Sequence, residues 1–94
     1  MPILPKLAVM EKTAFNKVFG EFVREKRIEL KLSQAQLGDK MSLDYQYISR
    51  VERGLISPTL YWISTLASAF EMQPEEFVKE MLEHIHSSKV SIKA

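Results

Sequence analysis

Apolar side chains recur three and four residues apart along most of the chain, in five stripes separated by short polar connections. Because this spacing collects side chains on one face of a helix, it predicts five helices and no strand, an all-α fold. Residues 13–86 form the predicted domain, after an N-terminal arm (1–12) and before a C-terminal tail (87–94). Helix starts are predicted from potential N-cap residues or first-turn prolines, at Thr13, Ser33, Asp44, Pro58 and Pro74.

The second and third predicted helices, about 34–41 and 44–53, are short and are joined by the tight turn 41–43. Two such helices in succession form a helix-turn-helix pattern. Gly38 lies in the middle of the first, where a glycine costs roughly 1 kcal/mol relative to alanine, so we expect another helix to approach closely there.

The third helix has two unlike faces when its residues are placed about 100° apart. Ile48 and Val51 lie on the inward face. The outward face has hydrogen-bonding and cationic groups flanked by tyrosines, from Gln46, Ser49, Arg50 and Arg53 with Tyr45 and Tyr47. Arginine and glutamine side chains can recognise guanine and adenine in the major groove. An ordinary solvated helix face fits this pattern equally well, so both interpretations remain open here.

The composition of the chain argues against several other kinds of function. The chain has 94 residues and no cysteine, which excludes disulfides and thiolate metal sites. His84 and His86 are two residues apart and so point to different faces of a helix, which argues against joint metal binding. No catalytic constellation, cofactor motif, signal peptide or membrane span is recognisable, so we expect no enzyme, cofactor or metal. The net charge is only +1, but basic residues predominate in the N-terminal part.

Three stretches, residues 32–38, 47–54 and 57–60, together resemble the Cro/cI-type (XRE) helix-turn-helix family. The resemblance implies a five-helix lambda-repressor-like DNA-binding domain. It implies base contacts by Tyr45, Gln46, Ser49 and Arg50, phosphate contacts by Ser33, Gln34, Tyr47 and Arg53, and a structural salt bridge between Arg27 and Glu52.

The chain departs from this family pattern at three turns. Lys31, Ser42 and Glu71 stand where relatives usually have glycine. We therefore expect a left-handed backbone at these positions, with some strain.

The resemblance also implies a cytoplasmic transcriptional regulator, a repressor or controller encoded by a bacterium, phage or plasmid. It would bind a near-palindromic operator in double-stranded DNA as a homodimer. The predicted dimer contact is an apolar patch of Trp62, Phe77, Met81, Leu82 and Ile85, with a place at the edge of the core as the alternative for Trp62. The alternative function is an antitoxin-like module that binds a partner protein through the arm 1–12; disorder or packing on its own domain are the arm's other interpretations.

Overall fold

The computed structural model describes residues 11–88, which form five helices and no strand. The all-α prediction is therefore confirmed for this part of the chain. Residues 1–10 of the predicted arm and 89–94 of the predicted tail lie outside the described residues. The helices are α1 (Lys12–Glu29), α2 (Gln34–Met41), α3 (Tyr45–Glu52), α4 (Leu60–Ala69) and α5 (Pro74–Ser87).

Side chains at the starts of α2, α3 and α4 accept hydrogen bonds from first-turn amides. Ser33 and Gln36 form a reciprocal capping box at α2, and Asp44 accepts from the Gln46 amide, 2.8 Å away, at α3. The prediction was wrong at two other starts. Glu11 precedes α1 with an extended backbone, so Thr13 already lies inside that helix. The hydroxyl of Thr59 caps α4, which leaves Pro58 in the preceding linker.

Left-handed residues follow or cap the ends of α1, α2, α3 and α4. Lys31, Ser42 and Glu71 have φ angles of 59°, 57° and 60°, which confirms the expectation for these non-glycine positions. Gly54 ends α3 in the same region, with φ at 79°. The close approach at Gly38 comes from the turn rather than from another helix, because a Cβ there would lie 2.6 Å from the Leu43 carbonyl oxygen.

One apolar core lies between the helices. α1 packs against α3 and α5, while α4 packs against α2 and α5. The largest fully buried side chains are Phe19, Phe77, Leu37, Ile48, Leu66, Val18, Val23 and Val51. Trp62 is 8% exposed and meets Phe19 edge-on, with ring centroids 6.3 Å apart, so it belongs to the edge of the core. Its indole N–H has no hydrogen-bond partner among the described residues.

The structure corrects the predicted dimer patch. Phe77, Met81, Ile85 and Trp62 are buried in the core of the single chain, so they have little surface left for a second copy. Of the predicted patch only Leu82 is exposed. Leu60 continues the apolar stripe of α4 by its spacing from Ile63, but it is exposed, because the buried part of that stripe begins at Trp62 and Ile63.

Candidate nucleic-acid interface

The start of α2 and the outer face of α3 border one open groove with a volume of about 720 Å³. Its lining residues are Arg27, Ser33, Gln34, Ala35, Tyr45, Gln46, Ser49, Arg50 and Arg53. Seven of the eight residues predicted to contact DNA are thus brought together, although they come from two helices. Ala35 was not predicted to belong to the site, although its position beside Gln34 in the first turn of α2 was an available signal.

Tyr47 is the predicted contact residue that does not line the groove. It is half-buried and packs against the core, with its ring centroid 5.7 Å from that of Trp62. The same ring therefore helps to seat α3 on α4.

The buried side of α3 fixes how far its outer face projects. Ile48 and Val51 are buried in the core. Gly20 of α1 allows the backbones to approach, because a Cβ there would meet the Val51 carbonyl oxygen and would lie 2.7 Å from that of Glu52. α3 is therefore held firmly along its inner side while its outer side remains free.

A nearly buried ion pair joins α1 to the end of α3. Arg27 Nε donates to Glu52 Oε2 at 2.7 Å and Arg27 Nη2 donates to Oε1 at 3.0 Å. The Arg27 and Glu52 side chains are 11% and 3% exposed. Arg27 Nη1 also donates to the Leu32 carbonyl oxygen at 2.8 Å, just before α2. Such a paired, multiply hydrogen-bonded arrangement offsets the cost of removing both charges from water.

Gln34 extends this ion pair into the groove. Its Nε2 donates to Glu52 Oε1 at 3.1 Å. A side-chain amide has two N–H donors and an acceptor oxygen, so hydrogen-bonding capacity remains for a ligand. The contact between Gln34 and Glu52 has no counterpart in the sequence analysis, because the two residues are 18 positions apart.

Positive charge dominates the open side of the groove. Arg50 and Arg53 are exposed, and Arg53 Nε donates to Ser49 Oγ at 3.3 Å. The nearest buried carboxylate, Glu52, is already neutralised by Arg27. The first-turn amides of α2 and its helix dipole favour an anion at the same place. The groove can therefore hold phosphate oxygens beside α2 and hydrogen-bond to base edges from α3.

Within residues 11–88, no group of three or more His, Asp or Glu side chains is arranged to bind a metal ion. None of the helices in this part of the chain has the length and apolar composition needed to cross a membrane.

Comparison with protein families gives a match to the model described as Helix-turn-helix, over residues 23–77. The chain is also 34% identical over 56 residues to an uncharacterised HTH-type transcriptional regulator of Mycobacterium tuberculosis. This match covers 60% of the chain and 40% of that regulator, so the chain corresponds to less than half of it.

Several solved structures share the fold. The restriction-modification controller protein C.AhdI from Aeromonas hydrophila is 38% identical, with a TM-score of 0.63 over 68% of this chain and 97% of that one. The controller protein C.Esp1396I, solved as a tetramer in complex with its natural 35-base-pair operator, is 24% identical. Its TM-score is 0.68 over 79% of this chain and 96% of that one, a likeness of fold alone.

Proposed function

Because the chain belongs to the helix-turn-helix family HTH_3, we propose that it is a transcriptional regulator that binds specific sequences in double-stranded DNA. The observation that carries the proposal is the groove between α2 and α3, which places exposed guanidinium, amide and hydroxyl groups beside a helix N-terminus. A base-contacting helix next to a phosphate-binding turn is the arrangement that a major-groove complex requires.

In this proposal α3 enters the major groove and its outer face contacts the bases. Arg50 donates two hydrogen bonds, to guanine O6 and N7. The Gln46 amide accepts a hydrogen bond from adenine N6 and donates one to adenine N7. Ser49 donates or accepts at a neighbouring base, while Tyr45, which is exposed at the start of α3, packs against a thymine methyl group.

Phosphate contacts then fix the position of α3 along the DNA. Gln34 and the amide groups beside Ser33 bind one phosphate at the start of α2, and Arg53 binds another at the end of α3. Tyr47 reaches a phosphate only through its hydroxyl, because its ring is packed against Trp62. These contacts give affinity without choosing a sequence.

We further propose that the regulator acts in the cytoplasm as a homodimer on an inverted repeat. Two copies related by a two-fold axis would place their α3 helices about 34 Å apart, one turn of DNA. The likeness to the C.AhdI controller supports a controller-type regulator rather than an antitoxin.

The test is selection of bound fragments from a DNA pool at near-physiological salt, with the region upstream of the protein's own gene included. We expect enrichment of an inverted repeat whose half-sites are one turn apart. Arg50→Ala should change the selected sequence, whereas Arg24→Ala removes an exposed arginine outside the groove and should leave it unchanged. Weak, salt-sensitive binding without enrichment would contradict sequence-specific regulation and direct the search to a protein partner.

A further inference from the structure

The linker between α3 and α4, residues 53–59, is fastened to the first half of α1. Gly54 lies so close to this helix that a Cβ added to it would be 2.9 Å from the Cα atom of Lys17. Three residues further along, Ser57 Oγ donates a hydrogen bond to Asn16 Oδ1 at 3.0 Å. Since Asn16 is only 6% exposed, these two contacts fix the position of residues 16 and 17 relative to the end of α3.

Lys17 presents its side chain to solvent beside this contact, whereas the preceding Asn16 is buried. Glu21 follows Lys17 one helical turn later, but the two side chains form no ion pair within the described chain. The ammonium group has three N–H donors. Lys17 therefore keeps its charge and its hydrogen-bonding capacity for a ligand at the surface.

The linker itself contributes no side-chain charge beyond its first residue. Arg53 is the last charged residue before Glu71, so residues 54–70 contain neither a cation nor a carboxylate. The backbone amides of Ile56 and Ser57 donate to no acceptor among residues 11–88. An anion beside the linker would thus meet N–H donors and no opposing carboxylate of the linker, and the cation that packing brings to this place is Lys17.

We propose that Lys17 and the linker amides of Ile56 and Ser57 form a further phosphate-binding site for the DNA backbone, outside the groove between α2 and α3. Lysine side chains and backbone N–H groups are both common ligands of DNA phosphates. The inference rests on the proposed function, because it requires duplex DNA to be bound along α3.

The place of this site complements the contacts at the start of α2. α2 packs beside α3, so its first turn holds phosphates along that side of the helix. The linker leaves the end of α3 and passes over residues 16 and 17 of α1. Lys17 therefore extends the phosphate contacts beyond the end of α3, where the linker has no basic side chain after Arg53.

The salt dependence of DNA binding by the full-length chain tests this contact. Each phosphate of B-DNA that a protein cation neutralises contributes about 0.9 to the slope of log K against log salt. Lys17→Gln should lower the slope by this amount, so the affinity advantage of the parent protein should shrink about 3.5-fold when the salt concentration rises fourfold. The selected operator sequence should not change, because phosphates carry no base identity.

Lys79→Gln is the matched control, because it removes the same charge from an exposed position on α5. It should leave the slope unchanged, and Lys17→Arg, which retains the charge, should keep the slope of the parent protein. A parental slope in Lys17→Gln, or an equal reduction in Lys79→Gln, would overturn the phosphate site.

Neutral methylphosphonate linkages locate the contact on the DNA. Duplexes that each carry one such linkage are compared for binding to the parent protein, Lys17→Gln and Gln34→Ala. One replacement should weaken the parent protein and Gln34→Ala but not Lys17→Gln, because only Lys17 contacts that phosphate. If every replacement weakens the parent protein and Lys17→Gln by the same factor, Lys17 acts only through the overall charge and the site is overturned.

These measurements also separate failure of the site from failure of the proposed function. A parent protein that binds duplex DNA without sequence preference would overturn the proposed function, while the salt slopes of the variants could still be compared on any duplex. A clear sequence preference together with an unchanged slope in Lys17→Gln would overturn the Lys17 site alone.

Discussion

Replacing Arg27 with methionine should destabilise the fold far more than the loss of one surface charge does. The guanidinium makes two hydrogen bonds to Glu52 and one to the Leu32 carbonyl oxygen, all between 2.7 and 3.0 Å. Methionine fills much of the same space but donates none of them. Glu52 would keep only the Gln34 amide, 3.1 Å from its Oε1, as a partner.

The magnitude follows from the burial of the stranded carboxylate. Because the Glu52 side chain is almost inaccessible, water cannot replace the guanidinium without local opening. Removing one partner of such a buried pair costs about 3–5 kcal/mol. A domain of this size is stable by about 5–15 kcal/mol, so Arg27→Met should remove a large part of the free energy of unfolding.

Urea unfolding followed by the fluorescence of Trp62 measures this loss, since Trp62 is the only tryptophan and lies at the core edge. Arg24→Met, at an exposed position of α1, is the control and should change stability by less than about 0.5 kcal/mol. The double variant Arg27→Met/Glu52→Leu removes both charges and should recover most of the loss. Equal, small effects of Arg27→Met and Arg24→Met would refute the reasoning.

Four further predictions concern two residues of the groove, one turn and the Lys26–Glu80 ion pair. Arg50→Ala should cost about 1–3 kcal/mol at one base pair of the operator, measured with single-base-pair variants; a uniform loss would make Arg50 a phosphate contact. Gln34→Ala should weaken binding to all sequences alike, and a sequence-selective loss would argue against its phosphate role. Gly54→Ala should destabilise the chain by about 1–2 kcal/mol or more in urea, since its φ of 79° is left-handed, and unchanged stability would contradict this strain. Burial lowers the pKa of Lys26, but the hydrogen bonds and negative charges of Glu80 and Glu29 together outweigh it and hold the pKa above 10.5. The stabilisation that the Lys26 ion pair gives to the folded chain is complete below pH 10.5 and is lost as pH rises through the higher folded pKa. The alkaline loss of stability, followed by circular dichroism, should therefore be smaller in Lys26→Met than in the parent protein. An identical loss in both would exclude this stabilisation.

The helices could be predicted from sequence because their signals are local. Ser33 and Asp44 accept hydrogen bonds from nearby amides, and Lys31, Ser42 and Glu71 replace turn glycines without changing the backbone that the turns require. The starts of α1 and α4 were misplaced because the choice among neighbouring residues depends on where each helix meets the core.

Burial near helix ends was harder to predict. The spacing of apolar residues shows which side chains share one face of a helix, but it does not show which part of the structure packs against that face. The stripe of α5 could have faced another copy, and only the three-dimensional packing shows Phe77, Met81 and Ile85 inside the chain's own core. Leu60 shows the converse, since it continues the stripe of α4 by spacing but lies beyond the surface that α2 and α5 cover.

The candidate site separates residues that hold the groove from residues that would contact bases. Glu52 and Arg50 are two positions apart on α3, yet Glu52 is tied to α1 and α2 while Arg50 is exposed. One side of α3 is thus anchored to the rest of the chain, while the opposite side is free. The anchored side fixes the distance between α2 and α3. Because the phosphate-binding start of α2 is linked to α3 through Gln34 and Glu52, movement of one helix is resisted by the other. The outer residues can then differ in chemistry without changing the geometry that presents them, which is the property a sequence-specific DNA-binding surface needs.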